Sequence, residues 1–144
     1  MIPVFEHIFS GKNLYERTVM PVCREWGLTY MEFTVLMFLN NNPQYDSAAQ
    51  IAKVRRLTKS HVSVSLKGLQ ERGFVQGFYY PGNQKTLHLC LTEAAKPVVE
   101  AGLAAQKQFG EKLIRGFTPE EVEQFQNLVN KLNDNLKQED ENNG

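Results

Sequence analysis

The sequence predicts a mainly α fold with one small β-hairpin. Three observations predict it. Apolar residues recur at helical spacing in five or more separate segments, a single stretch near residues 74–92 switches to a period of two around a Pro-Gly pair, and most helical segments carry cap residues at their ends. At 144 residues the chain suits one compact domain, or one domain with added elements for association. A chain of this size buries about 68–70% of its unfolded surface, so it requires no disulfide or metal staple.

The elements follow in order. Residues 4–26 hold Val4, Phe5, Ile8, Phe9, Leu14, Tyr15, Val19, Val22, Cys23 and Trp26 at loosely helical spacing, with Gly11 and Pro21 weakening or kinking the helix and Gly27 ending it. Thr29 and Glu32 form a capping box ahead of Phe33, Leu36, Met37 and Phe38. Asn40, Asn41, Asn42 and Pro43 stop that second helix, and Asp46 or Ser47 caps a third, with Ala48, Ile51 and Ala52 on its apolar face and a turn near Arg56 and Leu57. Thr58 caps a fourth helix, on which Val62, Leu66 and Leu69 line one face, and Gly73 closes it.

A hairpin comes next. Residues 74–80 are aromatic and β-prone, "PGNQK" (81–85) reads as the turn, and "TLHLCLT" (86–92) alternates with Leu87, Leu89 and Leu91 on one face. Thr92 and Glu93 open a long helix expected to reach about Arg115, with Pro97 in its first turn. The last helix opens with Thr118, Pro119 and Glu121 as cap, first-turn proline and capping-box partner. Val122, Phe125, Val129, Leu132 and Leu136 then follow at steps of three and four, a coiled-coil seam of about two heptads that must pack on something. The tail "QEDENNG" is expected to fray.

Formal net charge is zero, but the charge is segregated. Residues 53–72 carry Lys53, Arg55, Arg56, Lys59, Lys67 and Arg72 against the single acid Glu71, whereas residues 118–144 carry seven acids against Lys131 and Lys137. Such separation either points the middle of the chain at an anionic partner or marks a solvated helix face. Cys23 and Cys90 form no CxxC, and His7, His61 and His88 are scattered, so no local metal motif or cofactor site is read. Cys23 lies among apolar residues and reads as an inert core cysteine. No apolar run reaches the roughly 20 residues of a membrane span, and the first ten residues lack the pattern of a signal peptide, so a cytoplasmic location is expected. No glycine-rich phosphate loop, nucleophile motif or paired catalytic carboxylates are found, and the chain is expected not to be an enzyme.

A short helix, a tight turn and a second helix with a cationic outer face describe a helix-turn-helix, and the hairpin directly after it describes a wing. With "GLTYMEFTVLMFL" (27–39), "AAQIAKVRRLTKSHVSVSLKGLQERGFV" (48–75), "LHLCLTEAA" (87–95) and "FTPEEVEQFQNLVNKLNDNL" (117–136) in this order and spacing, the chain resembles the MarR family of winged-helix transcriptional regulators over nearly its whole length. The resemblance implies a winged helix-turn-helix at 29–92 flanked by dimerisation helices at 1–28 and 93–144. It implies a homodimer that binds a pseudo-palindromic operator in double-stranded DNA, most often as a repressor released by a small-molecule or other effector.

The expected DNA-binding set is Arg55, Arg56, Lys59, Ser60, His61, Ser63, Lys67 and Lys85; the expected dimerisation set is Val122, Phe125, Val129, Leu132 and Leu136. Tyr15, Trp26, Tyr30 and Phe33 are candidate effector-pocket residues, although aromatic residues at helical spacing also serve as plain core. The chain departs from the family in its wing, where Lys85 is the sole cation of "YYPGNQKTL", and at Val64, where an Arg often stands. Arg55 and Arg56 occupy positions that tend to be Leu and Gly, which moves basic weight from wing to turn. The competing reading is a winged-helix protein-interaction module that has lost specific DNA reading; the poor wing and zero net charge favour it and the cationic cluster from Lys53 to Arg72 opposes it.

Overall fold

The computed structural model describes residues 3–144, with side chains described from Ser10 onward. The expected apolar positions Val4, Phe5, Ile8 and Phe9 therefore lie outside the described side chains. The elements are α1 (Pro3–Trp26), α2 (Tyr30–Asn41), α3 (Ala48–Arg55), α4 (Lys59–Glu71), β1 (Val75–Tyr80), β2 (Asn83–Leu91), a 3-10 turn (Glu93–Ala95), α5 (Lys96–Leu113) and α6 (Pro119–Asn143). They fall into two compact units, Met1–Phe109 and Gly110–Gly144. Among the described residues no helix is long and apolar enough to cross a membrane.

The first unit is built around α2. Its residues from Phe33 to Leu39 are all buried, so this helix is apolar on every side and others wrap it. Thr29 and Glu32 form the expected capping box: the Glu32 amide donates to the Thr29 hydroxyl at 3.0 Å and the Thr29 amide to the Glu32 carboxylate at 2.9 Å. Val19 and Cys23 of α1, Ile51 of α3, Val62 and Leu69 of α4 and Val98 of α5 complete a core with essentially no solvent access. Gly102 of α5 lies so close to α2 that a Cβ there would stand 2.6 Å from the Met37 sulfur. α1 runs through Gly11 and the exposed Pro21 as one helix, and Gly27, at φ +63, closes it, with the Leu28 amide donating back to the Cys23 carbonyl at 2.8 Å.

Two boundaries differ from the sequence reading. The turn expected over 81–85 contracts to Pro81 and Gly82, and β2 begins at Asn83, so Lys85 lies on a strand. Gly82 takes φ +82, and the Lys85 amide donates to the Asn83 side-chain oxygen at 3.1 Å, which tightens the strand start. The helix expected from Thr92 begins as a 3-10 turn, with the Ala95 amide donating to the Thr92 carbonyl at 3.1 Å, and α5 proper starts at Lys96. Pro97 has no amide hydrogen to donate to Glu93, so a regular first α-turn cannot close there. Ser47, rather than Asp46, is the cap of α3, in a capping box with Gln50.

The second unit is the end of α5, a turn and α6. Gly116 turns at φ +84, and Thr118 caps α6 with Glu121 as its capping-box partner and Pro119 at the first position. No residue of α6 is buried, although its apolar seam is clear: Phe125, Leu132 and Leu136 are each about half exposed, at 52%, 50% and 51%. Phe117 packs edge-on against Phe125 with centroids 6.3 Å apart. The tail expected to fray continues the helix to Asn143, whose side-chain amide donates to the Glu139 carbonyl at 3.0 Å.

Candidate nucleic-acid interface

α4 carries two opposed stripes of equal period. Val62, Ser65, Leu66 and Leu69 are buried, whereas Ser60, Ser63, Val64 and Lys67 are exposed. Each set follows i, i+3, i+4, i+7, and the sets are two residues apart, about 200° around the helix. The apolar stripe fixes which face α4 turns inward, and so fixes the outward one. Thr58 starts the helix by accepting from the His61 amide at 3.2 Å, and Lys59 and His61 flank the outward stripe in its first turn. Gly68 permits close packing on α2, since a Cβ there would collide with the Glu32 carboxylate.

The turn before α4 presents Arg55 and Arg56, both exposed. The Leu57 amide donates to the Ala52 carbonyl at 2.9 Å and half-buried Leu57 anchors the loop. Arg56 adopts φ +55, and among the described residues it is the sole non-glycine in the left-handed region. That conformation costs an L-residue about 1–2 kcal/mol. A glycine would adopt it without strain.

Arg72, counted among the central cations by sequence, has a different role. Its guanidinium donates to the Gly27 carbonyl at 2.6 Å and to the Trp26 carbonyl, and stands 5.2 Å from the centroid of the Phe74 ring. It caps the C-terminal end of α1, where a cation also meets the favourable end of the helix dipole.

The wing is an antiparallel pair in which Val75 faces Leu91, Gly77 faces Leu89 and Phe78 faces His88, with an irregularity between Phe78 and Tyr80. Leu89 is buried and Leu91 half-buried, as alternation predicts, but Leu87 stays 38% exposed and lies across Gly77, where a Cβ would come within 2.8 Å of it. Lys85 is exposed near the tip, with Tyr79 and Tyr80 also exposed. At its root the wing is tied to the helix-turn-helix through Asp46. The Leu89 amide donates to the Asp46 carbonyl at 2.8 Å, and His88 Nδ1 lies 2.8 Å from the Asp46 carboxylate. The Thr92 hydroxyl donates to the Gly73 carbonyl at 2.5 Å, joining the far end of β2 to the end of α4.

Of the aromatic residues expected at an effector pocket, Tyr15 borders a recess of about 100 Å³ that Thr34, Met37, Phe38, Asn41, Asn42, Arg55 and Gln106 also line. Within it the Asn41 side-chain amide donates to Gln106 Oε1 at 3.2 Å, and Gln106 Nε2 donates to the Tyr15 hydroxyl at 2.9 Å. Tyr30 is close enough that, after burial itself, Tyr15 and Glu16 help push its hydroxyl above the usual 10.0. Phe33 is fully buried in the core, and Trp26 is half-buried, its indole N–H without an acceptor among the described residues. Among the described residues no group of three or more His, Cys, Asp or Glu is placed to hold a metal ion.

The structure thus brings the cations at 55, 56 and 59 beside the stripe at 60, 63 and 67, with Lys85 separate on the wing. Three further residues matter that the sequence does not mark as functional. Val64 stands out in the sequence as a departure from the family and not as a contact. Asp46 reads only as a cap, because its partner His88 is 42 residues away and leaves no local signal. Glu32 reads as a capping residue, but its packing against Gly68 depends on how two helices cross.

A family model for the MarR family matches residues 26–77, the span from the end of α1 to the first wing strand. Among solved structures, the transcriptional regulator SlyA superposes with a TM-score of 0.81 at 17% identity, covering 94% of this chain and 95% of its own. A MarR family transcriptional regulator from Listeria monocytogenes, complexed with a 26mer DNA, gives 0.81 at 16% identity, covering 96% and 91%. Staphylococcus aureus MarR in complex with salicylate and kanamycin gives 0.78 at 15% identity, covering 95% and 92%. At these identities the structural likeness establishes the shared winged-helix fold.

Proposed function

We propose that this chain, whose residues 26–77 match the MarR family of transcriptional regulators, is a member of that family and acts as a homodimeric, sequence-specific DNA-binding repressor released by an effector. One observation carries the reading: α4 turns a stripe of small polar, apolar and cationic side chains outward, directly after a turn bearing Arg55 and Arg56. A helix of this kind fits the major groove, about 12 Å wide, and short side chains at 60 and 63 let its backbone approach base edges. Lys59, Arg55 and Arg56 are positioned for phosphates, which orient a protein without reading sequence; Ser60, His61, Ser63 and Lys67 are positioned for base edges. Lys85 meets the backbone or minor groove from the wing.

In this reading 29–92 is the DNA-binding region, and 1–28 and 93–144 supply the dimer. The half-exposed seam of Phe125, Leu132 and Leu136, with Val122 and Val129, is buried against a second copy. A twofold dimer presents two α4 helices about one DNA turn apart, roughly 34–36 Å, and so reads a pseudo-palindrome. The recess lined by Tyr15, Arg55 and Gln106 supports the effector reading, because Arg55 belongs to both the recess and the DNA-facing turn.

The test is a titration with the DNA flanking this protein's own gene beside a scrambled duplex, at two salt concentrations. Preferential binding that weakens steeply with salt is the expected result. Absence of binding to either duplex at low salt, from a confirmed dimer, would replace this reading with a protein-interaction module.

A further inference from the structure

The exposed stripe of α4 contains one apolar residue. Val64 is 72% exposed, the most exposed large hydrophobic side chain among those described, and sits between Ser60, one turn before it, and Lys67, nearly one turn after. It is not part of the core: the buried stripe passes through Val62, Ser65 and Leu66 on the other side. Nor is it there for the helix, since a β-branched residue at an exposed helical position is less favourable than Ala, Lys or Arg. Its neighbours on the outward stripe are hydroxyls and a cation, which hydrogen-bond or pair with charge. An isopropyl group among them has no such partner.

On a helix facing the major groove, the apolar feature available to it is the 5-methyl group of thymine, the one base substituent there that neither donates nor accepts a hydrogen bond. We propose that Val64 determines specificity by packing on a thymine methyl in each half-site, while Ser60, Ser63 and Lys67 address polar edges and phosphates around it. The proposal rests on the DNA-binding reading above and adds a base identity to it. It assigns discrimination to the position where the resemblance expects an Arg, so the favoured base there changes from guanine, which a cation reads, to thymine.

The test has two stages. Random duplexes are first enriched on the wild-type dimer to obtain its preferred site. Each thymine of that site is then replaced symmetrically by deoxyuridine, which removes the methyl and leaves all hydrogen-bonding groups. Affinities are measured by fluorescence anisotropy for wild type, Val64→Ala and, as a control on the same stripe, Ser63→Ala. One thymine position per half-site should weaken wild-type binding about fourfold for each methyl removed, the worth of one buried methyl-sized group. The penalty should shrink below about twofold in Val64→Ala and persist in Ser63→Ala. Because Val64 is exposed and alanine favours helix, Val64→Ala should melt at or above the wild-type temperature. A site with no uracil-sensitive thymine, or one whose penalty is unchanged in Val64→Ala, overturns the proposal while leaving DNA binding intact. Failure of the enrichment to yield any preferred site overturns the underlying reading and this proposal with it.

Discussion

His88 Nδ1 lies 2.8 Å from a carboxylate oxygen of Asp46, joining the second wing strand to the residue just before the cap of α3. The next residue along the strand, Leu89, donates its amide to the Asp46 carbonyl at 2.8 Å. One residue therefore holds the wing by both its side chain and its backbone. The His88 ring also packs on Tyr80, with centroids 4.5 Å apart, so the clasp extends to the exposed end of β1.

Asp46→Ala should remove the side-chain half of this clasp and leave the backbone half. The expected loss of stability is about 1 kcal/mol, the net worth of one partly buried hydrogen bond. DNA affinity should fall a few-fold, because the wing loses its fixed angle while α4 keeps its own packing. Urea unfolding and an anisotropy titration read the two effects. Unchanged affinity would remove the wing from the binding surface.

On the proposed reading, Arg56 sets stability against binding. Arg56→Gly relieves a left-handed conformation costing about 1–2 kcal/mol, offset partly by the greater freedom of glycine in the unfolded chain. The variant should be more stable by about 0.5–1 kcal/mol and bind DNA more weakly, with a shallower salt dependence. A variant that is stabilised and binds as tightly as wild type would take Arg56 off the DNA-contact set.

The two cysteines should differ in chemistry. Cys23 is fully buried, and burial pushes its thiol above the ordinary 9.0, so the folded protein keeps it protonated where the unfolded chain ionises. Below pH 9.0 the group adds no pH dependence; as pH rises through that value the unfolded state loses a proton that the folded state retains, and stability falls. Cys23→Ala should flatten that alkaline decline in denaturant midpoints. A disulfide-exchange reagent should consume one thiol, the exposed Cys90, in native protein and two after unfolding. Rapid reaction of both in native protein would contradict the buried placement.

Leu132 tests the association surface. It is half exposed on a helix with no buried residue, so Leu132→Glu should leave the chain folded. On the proposed dimer it should also place a charge in the covered seam, at a cost of several kcal/mol. Light scattering at micromolar concentration should give a dimer for wild type and a monomer for the variant. A dimeric variant would move the interface elsewhere.

The helices that position the interface are legible in the sequence because local chemistry specifies them. Thr29 with Glu32 and Thr118 with Glu121 are reciprocal caps within four residues, and the inward stripe of α4 is a period that one turn of helix determines. What depends on distant segments meeting is not legible. Arg72 counts as one cation among six in the sequence, yet it caps α1 from 45 residues away. The turn is only Pro81 and Gly82 because Tyr80 pairs with Asn83 across it, and nothing in "PGNQK" marks which of its residues pair. Val64 is legible as a position on the outward face of α4, but an apolar side chain there carries no polar or charged signal of a contact.

The most direct test of the central claim is the salt dependence of DNA binding by wild type and Lys59→Ala. Lys59 opens α4, is exposed, and lies beside Arg55 and Arg56 in the chain's basic cluster. If α4 of each copy lies against DNA, the plot of log affinity against log salt should be steep for wild type. In the variant the slope should be shallower by about 1.8, or about 0.9 for each phosphate that the dimer no longer neutralises. Identical affinity and slope for the two proteins would contradict the placement of α4 at the DNA.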